Sequence, residues 1–288
     1  MILSSTPPAA SSGPLLLAAV TVGLYLLAAL PSVSRRAGAA AGLQRVSATA
    51  FVGGWLLHLV LLVIDISGYG APTPGARLGF APVLSMTAWL VIAVHTVESR
   101  LVPLPAVRLV LALGGAVAVW LAAVFPGESM VMHSPLSPLH FVLGVASYGL
   151  FGAAVLHAAL LDAAERRLRA GQLGTGGGGN AGGGIKAMGM PLLQLERLTF
   201  RFVEAGFAVL TATLLLGVVT APSWQLDHKI FFSLLAWAVF AALLLGRRLR
   251  GWRGRRATRW LYAGAALLLL AYVGTRFVLE VLLGRAVS

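Results

Sequence analysis

The chain has no cysteine among its 288 residues, so it holds no disulfide, no thiolate metal site and no thiol redox centre. Acidic residues are nearly as scarce. Nine Asp and Glu stand against 22 Lys and Arg, and only 11% of all residues are charged. A soluble domain carries about a quarter charged residues, so this chain has too little polar surface to face water on every side. HExxH zinc-protease spacing is also missing, as is a nucleophile, base and orienting acid in any arrangement that sequence can establish. No enzymatic activity is expected. What is present is apolar: 58% of residues are hydrophobic, a composition that calls for a lipid bilayer around the core. The formal charge of +13 would point to nucleic acid in a soluble protein. Here the cations lie mostly in loops between apolar runs, where they set orientation, and no nucleic-acid partner is expected.

Eight apolar runs fill the chain, at residues 14–33, 48–66, 80–97, 107–125, 139–160, 202–219, 230–245 and 260–283. Each approaches the roughly 17 to 25 residues that cross the hydrocarbon core, and the seventh is short enough that its ends must extend into the polar residues beside it. The fold class expected is therefore all-α, a polytopic bundle of about eight transmembrane helices. The first run is read as a retained helix, because the uncharged stretch MILSSTPPAASSG before it is no basic leader. Arginine clusters follow the first, third, fifth and seventh runs, the densest being GRRLRGWRGRR. By the positive-inside rule those four loops are cytoplasmic. Both termini then face the periplasm of a bacterial inner membrane.

The long interruption is GTGGGGNAGGG. Glycine at this density contributes no side chain to bury and a large ordering cost, so residues 169–194 are expected to be a cytoplasmic linker. It separates five spans in residues 1–168 from three spans in residues 195–288, all within one integral membrane domain. It lacks the GK[ST] ending and flanking strand of a phosphate-binding loop.

Polar residues in the apolar runs carry the functional argument, because a polar group at membrane depth is costly unless partnered. His140 opens the fifth run, with Ser147 and Tyr148 two turns further on roughly the same side, a polar stripe expected to point inward. His228 opens the seventh run on the same side of the membrane, making a paired imidazole site conceivable from sequence. His58 lies inside the second run, with Asp65 seven residues on along one helical face, where a ligand or proton path could run. In the last run Tyr272, Arg276 and Glu280 follow one another at intervals of four. Arg276 and Glu280 either neutralise each other or leave the guanidinium to pair with an anionic ligand. The bland reading of each histidine is an interfacial hydrogen-bonding group. A permease for a small anion, using His58, Asp65, Arg276 and Glu280, is the runner-up class; the spans lack the paired Gly/Pro breaks of broken-helix transporters.

Three stretches carry a family resemblance: HFVLGVASYGLFGAAVLHAALL from His140, LLQLERLTFRFVEAGFAVLTATLLLGVVTAPSW, and WQLDHKIFFSLLAWAVFAALLLGRRLRGWRGRRATRW. They resemble the cytochrome c assembly transmembrane family of CcsA-, ResC- and HemX-like proteins, with the YpjD-type inner membrane branch the best match. The resemblance is densest over the fifth to eighth runs and extends to the others in number and order. It implies an eight-span helical fold and, from the haem-handling members, haem b held near the outer face by histidines. His140 corresponds to the family's external histidine. The tryptophan-rich external loop of those members is reduced here to Trp224, Asp227, His228 and Lys229, without the Pro and Glu of its pattern. By that resemblance His140 and His228 would be the iron ligands. Trp224 would pack on the porphyrin, Lys229 and Arg276 would meet propionates, and His58 is a further candidate at depth. The partners implied are the lipid bilayer, haem and a membrane assembly partner. The departures keep a haem-free assembly or regulatory factor in view.

Overall fold

In a computed structural model, residues 12–33, 40–69, 75–98, 105–127, 129–130, 135–170, 186–187, 190–220, 227–278 and 281 are described. Among these described residues, eight helices are long and apolar enough to cross a membrane. They are α1 (Ser12–Val33), α2 (Ala40–Ser67), α3 (Phe80–Glu98), α4 (Pro105–Val124), α5 (Ser137–Arg169), α6 (Leu192–Thr220), α7 (His228–Arg250) and α8 (Gly254–Leu269). The last is extended by a π turn (Leu270–Gly274) and by α9 (Thr275–Phe277). An all-α polytopic bundle is what the hydropathy pattern called for. Helices outrun the apolar segments that mark them: α6 begins at Leu192 rather than at 202, and α7 reaches Arg250 rather than ending at 245. A helix satisfies its own backbone, so it persists through the interfacial polar residues after hydrophobicity has ended. Of the segment expected to be a linker, residues 171–185 lie outside the described residues. Its last part forms a two-residue pairing of β3 (Lys186–Ala187) with β4 (Met190–Pro191), directly before α6.

Large apolar side chains point outward along these helices. Leu16, Leu215 and Leu249 are 66%, 64% and 79% exposed, which suits hydrocarbon and not water. Hydroxyls inside the spans are returned to the backbone: Thr21, Thr96, Thr199, Thr211 and Thr213 each donate to the carbonyl four residues earlier.

Contacts divide the chain into two compact units. The first comprises Met1–Ser85 and Ala106–Val131. Here α1 packs along α2 at glycines. A Cβ on Gly54 would lie 3.3 Å from the Tyr25 ring, and Ser47 Oγ reaches across to the Ala28 carbonyl at 2.7 Å. Ahead of α3, β1 (Ala76–Arg77) pairs antiparallel with β2 (Ser129–Met130). Gly127, at φ +72, closes onto Gly79 so tightly that a Cβ would meet its Cα at 2.6 Å, and only glycine satisfies both conditions.

The second unit comprises Met86–Pro105 and Met132–Ser288. Its core is a stack of aromatic rings and glycines. Phe151 of α5 lies face to face with Phe240 of α7 at 3.8 Å between centroids. Gly206 of α6 makes room for Phe151, and Gly264 of α8 for Phe240. With no hydrophobic driving force between helices in lipid, this close approach through small residues is the main source of cohesion. Trp237 Nε1 adds an interhelical hydrogen bond to Thr211 Oγ1 at 3.0 Å.

Candidate functional site

One end of the second unit gathers four of the residues singled out from sequence, His140, Lys229, Tyr272 and Arg276. Ser137 and Pro138 open α5, proline being tolerated in a first turn where its missing N–H is not needed, and His140 follows within that turn. The imidazole is partly buried against α6. A Cβ on Gly217 would stand 3.0 Å from its Cε1, and the Thr213 backbone lies within hydrogen-bonding reach. His140 Nδ1 is buried and has no hydrogen-bond partner among the described residues. Two turns on, Ser147 is buried and donates to the Gly144 carbonyl at 2.7 Å, while the Tyr148 hydroxyl donates to the Leu268 carbonyl. The stripe from His140 through Tyr148 therefore faces inward.

Asp227 caps α7, its carboxylate accepting from the Ile230 N–H at 2.8 Å. The cap fixes His228 and Lys229 as the first two residues of that helix. Lys229 Nζ lies 5.4 Å from the centroid of the Tyr272 ring, and the Arg276 guanidinium lies 5.8 Å from the same centroid. Lys229 is close enough to act electrostatically on both His140 and Arg276. An aromatic ring approached by two cations thus shares this end of the unit with a partly buried imidazole, Lys229 acting on both. Among the described residues the acidic group that acts on Lys229 is the helix-capping Asp227. Such a site favours an anionic, flat or partly apolar ligand.

The last helix departs from expectation. Leu270–Gly274 winds as a π turn, not as a continuation of the α-helix, and turns the residues after it relative to α8, with Arg276 5.8 Å from the centroid of the Tyr272 ring. Thr275 closes the turn, its hydroxyl donating to the Ala271 and Tyr272 carbonyls, both at 3.0 Å. Glu280, Trp224 and His133 lie outside the described residues. His228 is exposed and makes no side-chain hydrogen bond, ion pair or ring contact among the described residues.

His58 belongs to the first unit and is fully buried. Its Nδ1 is 3.1 Å from Tyr25 Oη and its Nε2 is 2.7 Å from Ser85 Oγ, so both ring nitrogens are engaged by the protein itself. Asp65, on the same helix, is paired with Arg77 at 3.5 Å, and Arg77 also donates to the Tyr69 carbonyl at 3.0 Å.

Three polar clusters in the second unit stand apart from the residues singled out above. Glu196 of α6 receives Arg247 and Arg253, both at 3.3 Å. Asp162 of α5 accepts from Thr258 at 3.1 Å and from Tyr262 at 3.0 Å. His157 Nε2 meets Glu98 at 3.0 Å, with Nδ1 on the Ala153 carbonyl at 2.7 Å. The spacing of Thr258 and Tyr262, four apart on one helix face, was the available signal for the second. Among the described residues no group of three or more His, Cys, Asp or Glu could hold a metal ion unaided.

Comparison with known proteins follows the same line. The sequence model of the family described as "Cytochrome C assembly protein" matches residues 16–283. The inner membrane protein YpjD of Escherichia coli K12 is 28% identical over 279 residues, covering 93% of this chain and 98% of its own length. A cytochrome c biogenesis protein CcsA of Prochlorococcus marinus (strain NATL1A) is 34% identical over 90 residues, 30% of this chain and 29% of its own. A 28.8 kDa protein of Azospirillum brasilense is 29% identical over 187 residues, 63% of this chain and 58% of its own. No solved structure matches the chain.

Proposed function

The chain belongs to the cytochrome c assembly protein family, and from that premise we propose that it binds and presents haem b at the end of the second unit where His140 lies. The observation that carries this reading is the Nδ1 of His140, buried and without a hydrogen-bond partner among the described residues, backed by Gly217 at the end of the unit where two cations approach Tyr272. A buried nitrogen without a partner is costly to leave unmade and is relieved by a ligand. Haem suits the donor set: imidazole for iron, Tyr272 for an apolar ring edge, Lys229 and Arg276 for propionates. When bound, haem supplies a redox-active iron, and the protein's part is to hold and orient it. His140 is the first ligand in this reading. His228 is the second, its exposed position leaving it open to an incoming group. Trp224 remains the expected aromatic wall.

This end of the bundle faces the periplasm of the inner membrane in our reading, because the opposite ends of α5 and α7 carry the arginine clusters. His58 is assigned an internal structural role, since Tyr25 and Ser85 already take both its nitrogens. The same engagement of His58 and Asp65 removes the main support for a permease.

An absorbance spectrum and pyridine haemochrome assay on protein expressed with ample haem test the proposal. A b-type spectrum that His140→Ala abolishes is expected. Clean, folded protein with no haem and no titratable uptake would overturn it and leave a haem-free assembly or regulatory factor.

A further inference from the structure

Seven arginines fall between Arg247 and Arg259, and the positive-inside rule accounts for their number but not for how they are held. The turn from α7 to α8 is a stapled hairpin. Gly251, at φ +62, ends α7, with the Trp252 N–H bonded back to the Gly246 carbonyl. The Trp252 indole lies flat on Gly246, where a Cβ would stand only 2.4 Å away, and against Trp260 at 5.4 Å. Arg247 is locked over the Phe200 ring at 3.6 Å, and with Arg253 it shares the Glu196 carboxylate. That leaves Arg248, Arg250, Arg255, Arg256 and Arg259. All five are exposed, and none is ion-paired among the described residues.

Arg256 lies over the Trp252 ring at 4.3 Å, so the structured turn presents five exposed guanidiniums without an ion-pair partner among the described residues, one of them held by the indole. The hairpin joins two helices long enough to span a bilayer, so it lies at the level of lipid headgroups. Leu249, 79% exposed beside Arg248 and Arg250, offers acyl chains a contact at the same level. We propose that this hairpin is a binding surface for anionic phospholipid, the guanidiniums forking onto headgroup phosphates and Leu249 lying against an acyl chain. Charge complementarity selects the partner, and the proposal is independent of what His140 binds.

The test uses the full chain in detergent, equilibrated with equal amounts of phosphatidylglycerol and phosphatidylcholine, with retained lipid counted by mass spectrometry. Preferential retention of phosphatidylglycerol, falling as salt rises, is expected. Replacing three of the five cations as R255Q/R256Q/R259Q should lower apparent affinity about a hundredfold, at about fivefold per surface arginine. Arg166→Gln with Arg167→Gln, which removes two exposed cations from the C-terminal end of α5, should lower retention far less than the triple variant. The triple lysine replacement at 255, 256 and 259 keeps charge and should retain the preference, separating a charge effect from misfolding. Absence of a preference in the parent chain would overturn the proposal. So would equal losses in the two glutamine variants, displacement of the lipid by millimolar inorganic phosphate, or tighter binding of an RNA oligonucleotide.

Discussion

Gly217 of α6 stands so close to the His140 imidazole of α5 that a Cβ at this position would lie 3.0 Å from Cε1 and 3.5 Å from Nδ1. The glycine lets the ring seat against the helix, and the seat fixes which nitrogen is left without a partner. Close packing makes a core discontinuous in its response, so a single methyl group here must move the ring or the helix.

Gly217→Ala is expected to cost about 1–3 kcal/mol through overpacking and to shift the spectrum of bound haem. Gly206→Ala is the control: a Cβ there would meet the Phe151 ring at 3.1 Å on the same pair of helices, far from the imidazole. It should carry a similar stability cost with an unshifted spectrum. Thermal unfolding and absorbance spectra of the two variants separate the effects, and equal spectral shifts would show that packing alone is responsible.

Tyr25→Phe takes from His58 Nδ1 its one side-chain partner among the described residues while keeping the ring that packs edge-on to Phe51 at 6.1 Å. Interhelical hydrogen bonds in membranes are worth about 0.6 kcal/mol on average, and the unpaired buried nitrogen adds to that. A loss of about 1–2 kcal/mol is expected. Haem content should be unchanged. Reversible unfolding in detergent measures the first and the haemochrome assay the second. Loss of haem from folded Tyr25→Phe would restore His58 to the ligand set.

The eight spans were legible because a bilayer imposes its thickness on hydropathy, and the inward stripe of His140, Ser147 and Tyr148 because helical periodicity fixes relative direction. Neither source of information reaches between helices. That Gly217 backs His140, or that Glu196 receives two arginines more than fifty residues away, depends on which helices neighbour which, and side-chain type alone does not encode it. The π turn at Leu270–Gly274 escaped for a related reason: LAYVG contains no proline, and nothing in its apolar pattern distinguishes five residues per hydrogen-bonded turn from four. The grouping of helices into two units is likewise a property of contacts, with α3 contributing to both.

Glu196→Gln is expected to destabilise the second unit by about 1–3 kcal/mol, since it leaves two guanidiniums without their shared charge. Arg253→Gln should matter far less, because its side chain is 64% exposed and water screens the pair. Comparing unfolding midpoints at low and high salt checks the order, and a larger effect from Arg253→Gln would contradict the partial burial of the Glu196–Arg247 contact.

Because the natural chain lacks cysteine, single-cysteine labelling reads orientation without background. His228→Cys should react with an impermeant maleimide from the periplasmic side and Gly176→Cys only after the cytoplasmic side is opened. The reverse pattern would invert the whole topology and place His140 in the cytoplasm.

Lys229 and Arg276 approach one aromatic ring from two helices, α7 and α9, at 5.4 and 5.8 Å from the Tyr272 centroid. An anion between or beside the two cations gains from both charges and from the weakly polar ring they share. Lys229→Gln and Arg276→Gln should each weaken haem uptake about tenfold through loss of a charge-assisted bond. Because neither residue is proposed to ligate iron, the Soret position of the haem that still binds should be unchanged. A haem analogue with esterified propionates should bind the parent chain as weakly as the double variant, and the double variant should no longer distinguish it from haem. Titrations that instead show the ester binding the parent chain at full strength would remove both cations from the site while leaving the case for His140 intact.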